Sequence, residues 1–188
     1  MSHSTKQLSD QLSTLVQDAL GKATVAAAFH YHGQKHWRRV AQNSFRLLDS
    51  TPGADALVVF LFALFHDSMR ENEGKDPDHG IRGRMLGVKV IPNHLDISAS
   101  QRAAFGEACD HHTDGNLSED PTVAVCWDSD RLDLWRVGKQ PSPHLMSTRA
   151  AREQGTIDWA MANLDVVPQS WSELAQQAAR AVQLELEP

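Results

Sequence analysis

Cysteine is scarce in this chain. Only Cys109 and Cys126 occur among its 188 residues, too few for a disulfide scaffold, which points to a reducing, cytoplasmic setting. Neither belongs to a CxxC pair, so the sequence offers no thiolate metal site. Long apolar runs are missing too. The longest, Ala56 to Phe65, is about half the length that spans a bilayer, so no membrane partner is expected. The opening residues, MSHSTKQLSDQL, lack the apolar core of a secretory leader. There is no basic surplus: the formal net charge of −6 argues against a nucleic-acid polymer as the main partner. Internal repeats, low-complexity tracts and a convincing alternating strand are also absent, with Val123 and Val125 the nearest approach to one.

What remains fits one globular domain. The length suits a single hydrophobic core, and 41% hydrophobic with 22% charged residues is ordinary for such a fold. Apolar periodicity predicts an all-α architecture. Leu8, Leu12, Leu15, Val16 and Leu20 make a helical stripe. Thr24 to Leu48 reads as one long helix, broken afterwards by Pro52 and Gly53. Asp55 to Phe65 is apolar on nearly every side, so this helix should be central. Asp76 and Pro77 read as N-cap and first turn of a helix starting near His79 and ending at Pro92. Ser98 opens a helix to about His112, with Gly115 just beyond. Asp120 and Pro121 precede another helix, Thr122 to Val137. A loop over Gly138 to Pro143 and helical segments near Thr148 to Arg152 and from Ser170 to Leu186 complete a domain over residues 1–188. Its motif-bearing core covers about 24–137 and a helical C-terminal extension about 145–186.

Histidine is the residue in excess. The chain has ten, and imidazole is both the commonest metal ligand and the usual near-neutral acid or base. His66 and Asp67 end the central apolar helix, where polar groups are unfavourable unless paired or coordinated. A C-terminal cap is the competing account of such a pair. His36 shares a helical face with Phe29, Val40 and Leu47. His32 lies one turn earlier. His79 aligns with Gly83, Leu86 and Val90. His112 aligns with Phe105 and Ala108, whereas His111 falls on a more polar face. Asp130 lies on the stripe of Val123, Cys126 and Val137; Asp133 is close to that stripe and Asp128 points away. His3, His30, His94 and His144 read as ordinary surface or loop residues. Five predicted helices thus send a histidine or an aspartate inward. Each such group needs a partner, and one divalent metal satisfies them together. Manganese, iron, nickel, cobalt and zinc all suit imidazole and carboxylate ligands.

These residues resemble the HD-domain superfamily of metal-dependent phosphohydrolases. His36 matches the first motif, His66-Asp67 the adjacent pair at the end of an apolar helix, and Asp130 in SDRLD the last motif. His79 and His112 resemble the expanded H…HD…H…H…D set of members that hold two metals. The resemblance covers roughly Ala28 to Arg136. The glutamate found three residues after the HD pair in some nucleotidase relatives is Arg70 here, and the GYP tripeptide of one cyclic-dinucleotide phosphodiesterase branch is absent.

The resemblance implies a helical bundle with one or two divalent ions in its core, hydrolysing a phosphate ester of a nucleotide or small phosphorylated metabolite. His36, His66, Asp67 and Asp130 would hold one ion. His79 and His112 would hold a second, bridged by Asp67. Arg70 would stabilise charge on the phosphoryl oxygens. Lys75, Arg131 and Arg149 are further phosphate-binding candidates, and His32 a proton relay or ligand orienter. Two other classes fit the same residues: a di-iron oxygenase of the HD type and a non-catalytic nucleotide-binding module.

Overall fold

Helices make up the regular structure of the computed structural model, which describes residues 2–185. Among them are nine α-helices and no strand: α1 His3–Lys22, α2 Gln34–Leu48, α3 Ala56–Phe65, α4 His79–Val90, α5 Ala99–His111, α6 Pro121–Leu132, α7 Arg149–Arg152, α8 Gln154–Ala162 and α9 Trp171–Glu185. None is long and apolar enough to cross a membrane. Leu186, the expected end of the last helix, lies outside the described residues.

The apolar sequence of α3 sets the arrangement. All of its residues, from Ala56 to Phe65, are buried, so every face needs a covering neighbour. α2, α4, α5, α6 and α9 supply those neighbours, while α1 lies along α9. Asp55 starts α3 by accepting the Val58 N–H at 2.9 Å, the usual N-cap bond. The other cap signals act similarly. Ser98 and Gln101 form a reciprocal capping box on α5. Asp120 accepts the N–H groups of Thr122 and Val123 ahead of Pro121 in α6. The C-terminal helix belongs to the same core: Leu174, Ala175, Ala178 and Ala179 of α9 are fully buried within it.

Four expectations need correction. The expected helix over Thr24 to Leu48 is two elements. A 3-10 turn covers Val25–Ala28 and α2 begins only at Gln34. Thr24 caps the turn through the Ala26 N–H and donates its hydroxyl to the Arg70 carbonyl at 2.6 Å. At Gly33 a Cβ would stand 2.3 Å from the Phe29 carbonyl oxygen, so glycine permits the chain to fold back there. Phe29 therefore leaves the face of His36. Asp78, not Asp76, occupies the N-cap of α4. The Asp76 carboxylate is already bound by Arg82 at 2.6 Å and the Glu71 N–H at 2.9 Å. α6 stops at Leu132, and Asp133–Val137 is a 3-10 turn closed by Gly138 at φ 71°. Finally, α8 was not foreseen. It has nine residues and buries only Thr156, Ile157 and Ala160, too short a stripe to mark a helix.

Two glycines of α4 let it approach the end of α3 and α5. A Cβ on Gly83 would stand 2.1 Å from the Phe65 carbonyl oxygen, and one on Gly80 2.1 Å from that of Cys109. Gly83→Ala should therefore destabilise the fold by about 1–3 kcal/mol through overpacking. Gly21→Ala in α1, where a Cβ meets nothing within 4 Å, should be neutral or stabilising by up to about 1 kcal/mol. Urea denaturation midpoints of the two variants test this contrast, and equal midpoints would contradict it.

Candidate metal centre

The inward-facing groups meet at the ends of helices. His36 lies in the first turn of α2, and His66 and Asp67 follow the last residue of α3. His79 opens α4, His112 caps α5, and Asp130 lies in the last turn of α6. Helix ends carry backbone carbonyls and amides without intrahelical partners. Here carbonyls close to the helix ends orient imidazoles. His66 Nδ1 donates to the Phe62 carbonyl at 3.1 Å, and His112 Nδ1 to that of Cys109 at 2.8 Å. His79 Nδ1 donates to the Asp76 carbonyl. His36 differs: its Nδ1 faces the buried Asp133 carboxylate at 2.7 Å. A neutral imidazole has one proton. With Nδ1 donating in all four rings, every Nε2 presents a lone pair.

Those lone pairs converge on each other and on carboxylate oxygens. His36 Nε2 lies 3.1 Å from His66 Nε2, 3.2 Å from Asp130 Oδ1 and 3.5 Å from Asp67 Oδ2. His66 Nε2 lies 3.8 Å from that Asp67 oxygen and 4.0 Å from Asp130 Oδ1. The other Asp67 oxygen, Oδ1, lies 3.0 Å from His79 Nε2 and 3.8 Å from His112 Nε2, which are themselves 2.8 Å apart. Asp130 Oδ1 is buried with no hydrogen-bond partner. Acceptors facing acceptors away from water are unfavourable unless a cation lies between them. His36, His66 and Asp67, and separately Asp67, His79 and His112, could each hold a metal ion, with Asp130 within reach of the first.

At His66, Asp67 and Asp130 ionisation agrees with this chemistry. Burial pushes the His66 imidazole down to about 3, so it is neutral and able to ligate. Burial alone would raise the Asp67 and Asp130 carboxyls, but the surrounding imidazoles, with Arg136 beside Asp130, outweigh it. Both are held below the usual carboxylate range. His112 runs the other way from His66. Burial lowers it, but the Asp67 carboxylate outweighs that and the net direction is upward.

A cavity of about 600 Å³ opens onto Asp67, His79, His112 and Asp130. His32 lies on its wall with Nδ1 3.1 Å from Asp67 Oδ2. Arg70 and Arg131 also line it. The Arg131 guanidinium is engaged by the carbonyls of Leu145 and Asn116, each at 2.7 Å, so it braces the wall. Two expected phosphate binders lie elsewhere. Lys75 is exposed and does not line the cavity. Arg149 pairs with Glu153 on the surface and borders a different depression. It occupies the solvent face of the short α7, whose buried side is Ala151. A further depression of about 680 Å³ beside α1, lined by His3, Lys6, Asp10 and His94, is open to solvent and brings no buried ligand set together.

Sequence reasoning missed Arg136 and gave Asp133 too little weight. Arg136 lines the cavity with its guanidinium 3.7 Å from Asp130. Asp133, besides holding His36, accepts two hydrogen bonds from Arg39 at 2.6 and 3.0 Å. The spacing His36 to Arg39 on one helix face, opposite an aspartate near the inward stripe, was the available signal. No family model matches the chain, and no curated protein or solved structure matches it either.

Asp133 carries the orientation of His36, and losing such a partner weakens metal binding about 10–100-fold. Asp133→Asn, which offers an amide donor to Nδ1, should show that loss in chelator-competition measurements with zinc or manganese. An unchanged affinity would show that His36 is oriented by other contacts.

Proposed function

We propose that the chain is a metal-dependent phosphohydrolase of the HD type, acting on a phosphomonoester or phosphodiester of a nucleotide or small phosphorylated metabolite. One observation carries this reading: His36, His66, Asp67 and Asp130 bring four buried acceptor atoms together with no donor among them. A divalent transition metal, from manganese to zinc, fits two imidazoles and two carboxylates. Bound there, it would supply a water of lowered pKa and polarise a phosphoryl oxygen.

The residues around the ligands supply the remaining functions. The cavity wall carries Arg70, Arg136 and Lys139, the two arginines within 4 Å of the ligand carboxylates, a cationic setting suited to an anionic substrate. Arg70 and Arg136 are both nearly fully buried and held by backbone carbonyls. They are therefore fixed before an anion arrives, which favours stabilisation of charge on phosphoryl oxygens. His32 stands at the solvent side of Asp67, a position from which it can pass a proton between that carboxylate and the cavity. Leu134, Val137, Leu145 and Met146 give the same cavity an apolar wall for the part of the substrate that is not phosphate. The free, buried thiols Cys109 and Cys126 accord with a reducing compartment such as the cytoplasm.

Elemental analysis of the purified protein, followed by phosphomonoester and phosphodiester panels with the metal found, tests the reading. Asp67→Ala should lose metal and at least 100-fold of the turnover together, because general charge and metal effects of this size follow removal of a shared ligand. Retained metal with no turnover of any phosphoester would count against hydrolysis. Two irons per chain with oxygen uptake would replace it by oxygenase chemistry.

A further inference from the structure

The two halves of the centre differ in what stands beside their acceptors. Among the described residues no guanidinium stands against the Nε2 atoms of His36 and His66, although His32 Nδ1 lies 3.1 Å from Asp67 Oδ2. Beside His79 one does: Arg70 Nη1 lies 3.2 Å from His79 Nε2 and 3.4 Å from Asp67 Oδ1. These are two of the three atoms that could hold an ion in this half. A guanidinium stays protonated under all ordinary conditions. Its N–H therefore occupies the His79 lone pair, and its fixed charge opposes a dication at Asp67 Oδ1.

Arg70 is not a mobile surface charge. It is 5% exposed. Nε donates to the Asn72 carbonyl at 3.2 Å and Nη2 to that of Gly74 at 2.7 Å. The Arg70 backbone is tied at both ends, its N–H to the Asp67 carbonyl at 3.2 Å and its carbonyl to the Thr24 hydroxyl at 2.6 Å. The loop that follows Asp67 thus builds the guanidinium into the second half as firmly as α4 builds in His79.

We propose that Arg70 is the resident cation of the second half, so that the chain holds one metal ion on His36, His66, Asp67 and Asp130. The guanidinium takes the place of a second ion beside Asp67 and His79. This inference rests on the metal-centre reading above and specifies its stoichiometry. It also gives Arg70 a defined task. Nε and one N–H of Nη2 are spent on backbone, and Nη1 on Asp67 and His79. The remaining Nη2 N–H is available to an anion in the cavity that Arg70 lines.

Metal counting tests the proposal without any substrate. Calorimetric titration with manganese or zinc, checked by elemental analysis after gel filtration, should give one tightly held ion per wild-type chain. Arg70→Met, which keeps the aliphatic stem and removes the charge, should bind a second ion at least tenfold more tightly than wild type does. Arg70→Lys, which keeps a cation, should stay at one. Should Arg70→Met fail to fold, the wild-type count decides alone. Two ions of comparable affinity in the wild-type protein would overturn the proposal and leave the metal centre standing. No ion in wild type would overturn both.

Discussion

Asp67 and five side chains around it present acceptor atoms to a common space, and the protein supplies few protons to separate them. Each of the four core imidazoles gives its Nδ1 proton to a helix-end carbonyl or to Asp133. Each Nε2 is then obliged to accept. His36 and His66 are fully buried, so water cannot relieve the repulsion between them. Positive charge is the remaining remedy, and the surrounding fold is arranged around that demand. The glycines at positions 80 and 83 bring α4 against the ends of α5 and α3, which places His79 opposite His112. The fold-back at Gly33 brings His32 to Asp67 and starts α2 in time for His36 to enter the centre.

The bundle and most of the ligand directions were legible in the sequence. Helical faces put His36, His79, His112 and Asp130 inward, and the structure buries all four. It exposes His111, which pairs with Asp114. A face argument gives the radial direction of a side chain and not its depth along the helix. It therefore could not show that the ligands gather at helix ends, nor that their Nδ1 atoms would be bound by local carbonyls. The break at residues 29–33 was hidden because the apolar period continues across it. The turn depends on Gly33 and on a hydroxyl bond from Thr24 to Arg70, far away in sequence. The basic residues were the least legible. Any arginine near a motif can be imagined on phosphate, whereas their actual places follow from loop paths that carry no period: Arg149 turned outward, Arg131 bracing two loops, Arg136 reaching the ligands.

Charge is distributed unevenly in a way that overall composition conceals. The chain carries a formal charge of −6, yet arginines ring its deepest polar cluster. Arg39 and Arg136 flank Asp133, Arg136 reaches Asp130, and Arg70 reaches Asp67. Each aspartate of the centre thereby has an arginine within about 4 Å. Paired carboxylates in a dry site stay ionised, and ionised carboxylates are what a dication requires. Of these arginines, Arg70 and Arg136 line the cavity. The negative overall charge and these arginine–carboxylate pairs are compatible because burial keeps the pairs out of bulk solvent, where salt would screen them.

Arg70 and a divalent ion answer the same electrostatic problem by different routes. An ion can be lost to a chelator or exchanged for another, and its charge is shared by every ligand within reach. A guanidinium is covalently fixed, carries half the charge and directs it along a few N–H bonds. Asp67 faces the ligand pair His36 and His66 with one oxygen and the guanidinium with the other. With an ion on His36 and His66, one carboxylate would link a replaceable cation to a permanent one. That asymmetry follows from local chain geometry, because Arg70 lies three residues beyond Asp67 on a turn tied back by Thr24 and by the carbonyls of Asn72 and Gly74. A side chain without a delocalised, multi-donor head could not satisfy those two carbonyls and still reach both Asp67 and His79.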